Sequence, residues 1–416
     1  MADYELVNER EPEAEVEEKK NSSSTRIVSL DVFRGLSVFL MIFVDYSGSV
    51  LPLVAHSPWN GIHLADFVMP FFLFIAGVSV ALVHKKVSNK FSATCNAVQR
   101  AIKLFLIGIF LQGGYFHGVN SLTFGVDIGS IRWFGILQRI AVGYVIAALC
   151  EIWFQGRKPS EERVGLFKGY YYHWFTAFSL STVYMGLLHG LYVPDWHVKL
   201  PLNNTYVDHT VKCGVRGDLG PACNSAGMID RYILGADHLY RKPVYRNLKQ
   251  CSDSFDGQVS ECSPAWCCAP FDPEGILSSF TAAVTCIIGL HFGHVLVQRE
   301  DHKDRLFQWS LFSMSLLSLA LLLTFIGIPL NKPLYTINYM MLTSAFAGII
   351  FSALYFLVDV YGYKRLLFPL EWMGKHSLSI FVLVASNIAI IAIQGFYKAQ
   401  PQNNIIHWII SVFVKT

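Results

Sequence analysis

The chain has 416 residues, of which 53% are hydrophobic and 15% charged, with a mean hydropathy of +0.40, whereas a soluble domain is about 45 to 50% apolar and about 25% charged. This excludes an ordinary soluble protein and points to an integral membrane protein. A formal net charge of +3, with no Lys/Arg-rich block interleaved with aromatics, excludes nucleic acid as a partner.

Residues 1–25 carry eight acidic against three basic residues, in EPEAEVEEKK and then NSSST, with almost nothing apolar to bury. A disordered tail is predicted. No basic segment leads into an apolar one there, so a cleavable signal peptide is not expected; the first apolar run serves as a signal anchor and leaves the tail cytosolic.

A helix crossing hydrocarbon needs about 20 apolar residues, because its backbone polar groups must be satisfied within the segment. Ten segments meet this: 33–54, 66–83, 101–116, 133–154, 174–193, 276–297, 306–328, 336–358, 376–395 and 404–416, the last being short for a full crossing. Short loops on one side of these spans hold fifteen Lys and Arg residues, against Arg132, Lys332 and Lys398 on the other. The bias puts the first set in the cytosol and the turn around His56 on the far, lumenal side.

Loop 194–275 falls on that far side and holds six of the nine cysteines, Cys213, Cys223, Cys251, Cys262, Cys267 and Cys268. Their spacing lacks the paired CxxC of a zinc site, so disulfides are expected, with the connectivity open. Asn203-Asn204-Thr205 in the same loop is a glycosylation sequon on the matching side. The predicted fold class is an all-α polytopic membrane protein, a bundle of about ten transmembrane helices with one large disulfide-bearing lumenal loop. Its divisions are 1–25 (tail), 26–193 (five helices), 194–275 (loop) and 276–416 (five more helices).

Charged groups at membrane depth are expensive and become functional candidates. Asp45 lies about twelve residues into the first span, roughly 18 Å along its axis. Asp66 opens the second span, and Arg139 lies in the first turns of the fourth, which starts on the same side; Asp66 and Arg139 are expected to pair. His56 sits in VAHSPWNGIHLADFVMPFF, where Pro52 and Pro58 end helix and Asn60-Gly61 signals a turn. An imidazole there can take a proton from an incoming amine or hydroxyl, since it titrates near neutral pH. The plainer alternative makes His56 and Trp59 headgroup-level residues. His63 shares the setting without an evident partner, and His291 and His294 read as cytosol-facing helix-end residues. No GxGxxG, Walker, GxSxG or HExxH pattern is present, and no strand is expected.

Six blocks, RIVSLDVFRGLSVFLMIFVDYSGS, HSPWNGIHLADFVMPFFLFIAGVS, IRWFGILQRIAVGY, GMIDRYILGADHLY, DPEGILSS and PLNKPLYTINYM, together resemble the heparan-alpha-glucosaminide N-acetyltransferase family. The version with VDYSGS is similar to its plant branch. The resemblance implies a polytopic acyltransferase that takes acetyl-CoA from the cytosol and passes the acetyl group to a terminal glucosamine amine in the lysosomal lumen, without a metal. The family's proposed catalytic histidine, in HxxWNG, matches His56, which would act as a general base or carry the acetyl group transiently. The family's asparagine eleven residues earlier is replaced by Asp45, whose carboxylate can orient the imidazole or disfavour an anionic intermediate.

On this reading the candidate catalytic set is His56, Asp45, Asp66, Asn60 and Arg139. Arg34, Arg100, Lys103 and Lys375 are candidates for CoA phosphates, beside their simpler role in setting topology. Trp59, Asp230, Asp237, His238, Asp272 and Glu274 are candidates for the acceptor pocket. The expected partners are lipid, acetyl-CoA and an amino sugar or glycan, with a homodimer left open. The expected location is a lysosomal, vacuolar or other endomembrane. Two further functions fit the composition: a proton-coupled small-molecule transporter, for which no second copy of the DVFRG or HSPWNG blocks supplies the usual internal repeat, and a family fold that has lost or changed its activity.

Overall fold

The computed structural model describes residues 27–48, 51, 53–85, 87–112, 116–117, 123–124, 131–154, 169–202, 205–252 and 264–385. The acidic tail, Asn203, Cys262, Lys398 and the span expected at 404–416 lie outside them. In chain order the long helices are α1 (Val28–Ser47), α2 (Ala65–Val83), α3 (Lys90–Gln112), α4 (Ile136–Phe154) and α5 (Tyr171–Gly190). An antiparallel hairpin follows, β1 (Trp196–Leu202) with β2 (Thr205–Val211), then the short α6 (Ser225–Ile233). The second half contains α7 (Ile276–Gln298), α8 (His302–Ile326), α9 (Ile337–Tyr355), α10 (Phe368–Lys375) and α11 (Ser377–Ala385).

Among the described residues, six helices are long and apolar enough to cross a membrane: α2, α3, α4, α7, α8 and α9 with its π-helical extension to Val360. Of the other long ones, α1 carries Asp31, Arg34 and Asp45, and α5 is rich in Tyr and His. The helices α3 and α8 are the outer ones. They turn Leu106, Phe110, Phe307, Leu311 and Phe325 outward, an apolar surface that suits lipid and not water.

The centre is the crossing of α2 and α7. A Cβ on Gly77 would lie 1.9 Å from the Cys286 carbonyl oxygen, and one on Gly289 2.0 Å from that of Phe74. The two backbones therefore touch directly, which only a residue without a side chain permits at these positions. Around that contact Phe33, Phe74, Phe292, Trp309 and Phe351 form the aromatic core, Phe74 meeting Phe292 edge-on at 4.9 Å.

Two expectations are corrected. The first helix runs Val28–Ser47 and not 33–54, because Asp31 is accommodated inside it, paired at 3.2 Å with Arg34, which also donates to Ser79 Oγ at 3.0 Å. Asp45 therefore sits in its last turn, beside the loop that carries His56. The chain also contains strands: WHVKLPL and TYVDHTV pair along their length, in a region outside the helix bundle where helical apolar periodicity is missing. The span expected from 376 is described as far as Ala385, as α11; ahead of it, α10 lies so close on α1 that a Cβ on Gly35 would strike the Leu370 carbonyl.

Between β1 and α7, disulfides Cys213–Cys223 and Cys251–Cys267 tie the region, and Cys268 is disulfide-bonded as well. This unit covers the His56 end of the bundle. Trp59 is buried in it, edge-on to Tyr245 and Phe271, and its Nε1 donates to the Leu219 carbonyl at 2.9 Å.

Candidate functional site

Two turns from opposite halves of the sequence meet at the site. The first, after α1, carries HSPWNG; the second, before α9, carries PLNKP. Gly61 N donates to the Leu330 carbonyl at 2.8 Å, and Asn331 Nδ2 donates to Asn60 Oδ1 at 3.2 Å. Asn60 thus joins the two turns.

Asp66, fully buried in the first turn of α2, collects the polar groups of both turns. Its Oδ2 accepts from His63 N at 2.9 Å and Ser57 N at 3.2 Å. Its Oδ1 faces His56 Nδ1 at 3.0 Å and Lys332 Nζ at 3.3 Å. A carboxylate surrounded by donors at a helix N-terminus stays charged and holds its partners in place. The expected Asp66–Arg139 pair is not formed. Arg139 Nη2 instead donates to the Pro273 carbonyl at 2.6 Å and to Ser278 Oγ, while Lys332 takes its place beside Asp66.

Lys332 is the residue that sequence reasoning missed. It was counted as a far-side cation, although it stands in one of the recurrent blocks, and its Nζ lies 2.7 Å from His56 Nδ1. The turn that presents it is tightly determined: Leu334 N donates to Asn331 Oδ1 at 2.8 Å, Thr336 caps α9, and the buried Tyr335 adopts a left-handed backbone with φ of 53°. Such strain persists only where surrounding contacts over-determine it. Tyr339 adds a hydrogen bond to the Asp66 carbonyl.

Three cavities adjoin one another through this site. An inner cavity of about 270 Å³ is lined by Asp45, His56, Glu274 and Lys332 together with apolar residues. It shares Val44, Asp45 and His56 with an outer cavity of about 410 Å³, whose rim carries Lys242, Arg246 and Asn247. On its other side it shares Phe72, Ile136, Leu137 and Phe381 with a cavity of about 510 Å³. That third cavity is lined by all four cations singled out for CoA phosphates, Arg34, Arg100, Lys103 and Lys375. The side chain of His56 is 39% exposed, at the junction of the inner and outer cavities.

The acceptor candidates are dispersed. Of the six, only Glu274 lines the inner cavity. Trp59 anchors the loop, as described. Asp272 receives a two-pronged bond from Arg132 at 2.8 and 2.6 Å, and Arg132 also bonds Glu274. Burial pushes the Glu274 carboxyl up, but the fields of Arg132, Arg139 and Lys332 outweigh it and hold the pKa below the usual range. Asp230 accepts from Ile276 N at 2.9 Å, capping α7 from another element, and burial raises its pKa to about 7, with Asp272 adding to the shift. His238 Nδ1 meets the Ile131 carbonyl at 2.7 Å, and Asp237 is exposed.

His291 and His294 are buried, not cytosol-facing. His294 Nε2 lies 2.7 Å and His173 Nε2 3.1 Å from Glu151 Oε2, a fully buried trio with the donor set of a divalent metal site. Metal binding through both Nε2 atoms would leave a proton on His173 Nδ1, which is buried with no acceptor among the described residues. With both Nε2–H groups donating to Glu151, His173 Nδ1 is only an unfilled acceptor, which costs less than a stranded N–H, so the trio reads as a clamp joining α4, α5 and α7.

The family described as heparan-alpha-glucosaminide N-acetyltransferase, catalytic, matches residues 26–157, the stretch that holds His56 and Asp66. The heparan-alpha-glucosaminide N-acetyltransferases of Mus musculus and Homo sapiens are each 30% identical to the chain, over 388 and 378 residues, or 88% and 86% of it. The chain is similar to these relatives over most of its length. It spans about half the length of these relatives, 54% and 52% respectively. Two of the six blocks, those with the HSPWNG and PLNKP turns, are brought together by the fold, and Lys332 lies beyond residues 26–157.

Proposed function

We propose that this chain is an acetyl-CoA-dependent acyltransferase that moves an acetyl group through the helix bundle to an amino-sugar or glycan acceptor, with His56 as the base. The observation that carries the reading is the series of three adjoining cavities, cationic at one end and with His56 at the junction toward the other. Arg34, Arg100, Lys103 and Lys375 suit the phosphates of CoA, which cannot enter lipid. The apolar neck of Phe72, Ile136, Leu137 and Phe381 suits the pantetheine arm. The charge bias of the short loops supports a cytosolic CoA end, and the disulfide-tied cap supports a lumenal acceptor mouth with Lys242 and Arg246.

In the reaction the acceptor nitrogen attacks the thioester carbonyl while His56 Nε2 takes its proton. The C–S bond then breaks, and the CoA thiolate recovers the proton as it leaves. Asp66 holds the ring through Nδ1, in the way a buried carboxylate orients a catalytic imidazole. Holding both reactants in register contributes on the order of 7 kcal/mol or more, and a positioned base roughly 10² to 10⁴ in rate. Asp45, lining both the inner and outer cavities, is placed to hold the acceptor's ammonium before its proton is lost.

The test is an assay of purified protein with labelled acetyl-CoA and a panel of amino sugars. Transfer in the wild type that falls roughly 10²-fold or more in His56→Ala is expected. Uptake of substrate into vesicles without acetyl-CoA turnover would overturn the enzyme in favour of a carrier.

A further inference from the structure

We propose that Lys332 is a positioning residue that selects the tautomer of His56, keeping the imidazole from acting as a base until an acceptor occupies the site. For its catalytic consequence this rests on the acetyl-transfer reading. Three contacts form a triangle: His56 Nδ1 to Asp66 Oδ1 at 3.0 Å, Lys332 Nζ to the same oxygen at 3.3 Å, and Lys332 Nζ to His56 Nδ1 at 2.7 Å. An ammonium only donates, whereas Nδ1 either donates or accepts. With Nδ1 protonated, two N–H groups would face each other across 2.7 Å. The three contacts cannot all be hydrogen bonds at once.

The shortest contact sets the resting arrangement. Lys332 donates to the lone pair of Nδ1, the ring proton sits on Nε2, and the nitrogen left for the cavity is a donor and not a base. When the ammonium turns to Asp66 alone, or to Glu274 in the same cavity, Nδ1–H donates to Asp66 and Nε2 regains its lone pair. Hydroxyls of an acceptor entering from the outer cavity offer the ammonium such a competing partner. Until then, water in the cavity meets an imidazole that cannot take its proton.

The charged and titratable groups around His56 are Asp45 from α1, Asp66 from α2, His63 from the same turn, Glu274 from the turn before α7, and Lys332. Lys242 and Arg246 face it across the outer cavity. Of these, Lys332 is the one in contact with Nδ1 that bears a fixed positive charge.

The experiment uses the full chain as wild type, Lys332→Met and Lys332→Arg. Acceptor-free hydrolysis of acetyl-CoA is measured beside transfer to glucosamine, across pH. In hydrolysis the water oxygen attacks the thioester carbonyl and one proton passes to His56 Nε2; the C–S bond breaks, the CoA thiolate takes that proton from His56, and the acetic acid formed releases its own to solvent as acetate. The methionine variant is expected to raise the ratio of hydrolysis to transfer roughly tenfold, and to move the acidic limb of its rate profile to higher pH because a neighbouring cation is gone. The arginine variant, which keeps the charge, is expected to restore both. If hydrolysis and transfer fall together and the limb stays in place, Lys332 merely holds its turn and the proposal is overturned.

Wild-type protein that neither transfers nor hydrolyses acetyl would refute the acyltransferase reading separately. The tautomer is then read directly by nitrogen NMR of histidine-labelled protein, with His56→Gln to assign the signal. Nδ1 unprotonated in the wild type and protonated in Lys332→Met is expected; the same tautomer in both overturns the proposal whatever the activity.

Discussion

A single buried carboxylate decides what His56 can do. Asp66 binds two backbone amides, an imidazole and an ammonium through two oxygens, so replacing it with asparagine turns one oxygen into a donor facing donors. Asp66→Asn is expected to lower the turnover number by roughly 10² to 10⁴, with the KM for acetyl-CoA little changed because the CoA-phosphate cations lie in another cavity. Steady-state kinetics at saturating acceptor check this. Asp230 has a different task, and its pKa gives the cap a pH dependence. The folded-state value of about 7 stands above the ordinary 3.8, so the folded form binds the proton more tightly. The stabilisation is complete below about pH 4 and is lost as pH rises through 7. Thermal melts of the wild type should fall across that window, and Asp230→Asn, which keeps an acceptor for Ile276 N, should flatten the change. An acidic compartment therefore favours the cap.

At the scale of elements, the contact of α2 with α7 fixes where Asp66 points. Gly77 and Gly289 let the two backbones touch, and any side chain there must push the helices apart. Gly289→Ala is expected to cost about 1 to 3 kcal/mol, read as a lower melting temperature in detergent. Elements of this kind were legible in the sequence: the apolar runs at 66–83 and 276–297 became α2 and α7 almost without change. The start of α1 is not, because hydropathy counts Asp31 against a span and cannot see Arg34 answering it. The hairpin escaped because its strands lie in a cap where apolar runs are short. His56 was found through its motif, whereas Lys332 lies 276 residues away in the chain, and only the fold shows that it takes the place foreseen for Arg139. Arg132, too, looked like a topology signal until its pairing with Asp272 and Glu274 was visible.

For the whole molecule, the proposed function depends on passage, since neither a cationic pocket nor a base at the opposite end would transfer anything unless a thioester can travel between them. The narrow part is the apolar neck shared by the two cavities, where Ile136 opens α4 beside Phe72 and Phe381. A bulky side chain there separates the steps that a change at either end would confound. Ile136→Trp should leave CoA-phosphate binding intact, because Arg100, Lys103 and Lys375 are untouched, and leave the His56 triangle in place. It should nevertheless slow transfer by an order of magnitude or more, since misplacement by about 1 Å can cost 10²-fold. Binding of a 3′-phosphorylated ADP fragment, measured by calorimetry, supplies the first readout, and acetyl transfer the second. Fragment affinity retained with transfer lost would establish that the cofactor arm passes through the neck. Transfer at the wild-type rate would show that acetyl reaches His56 by another way, and the cations at the far end would then revert to setting topology alone.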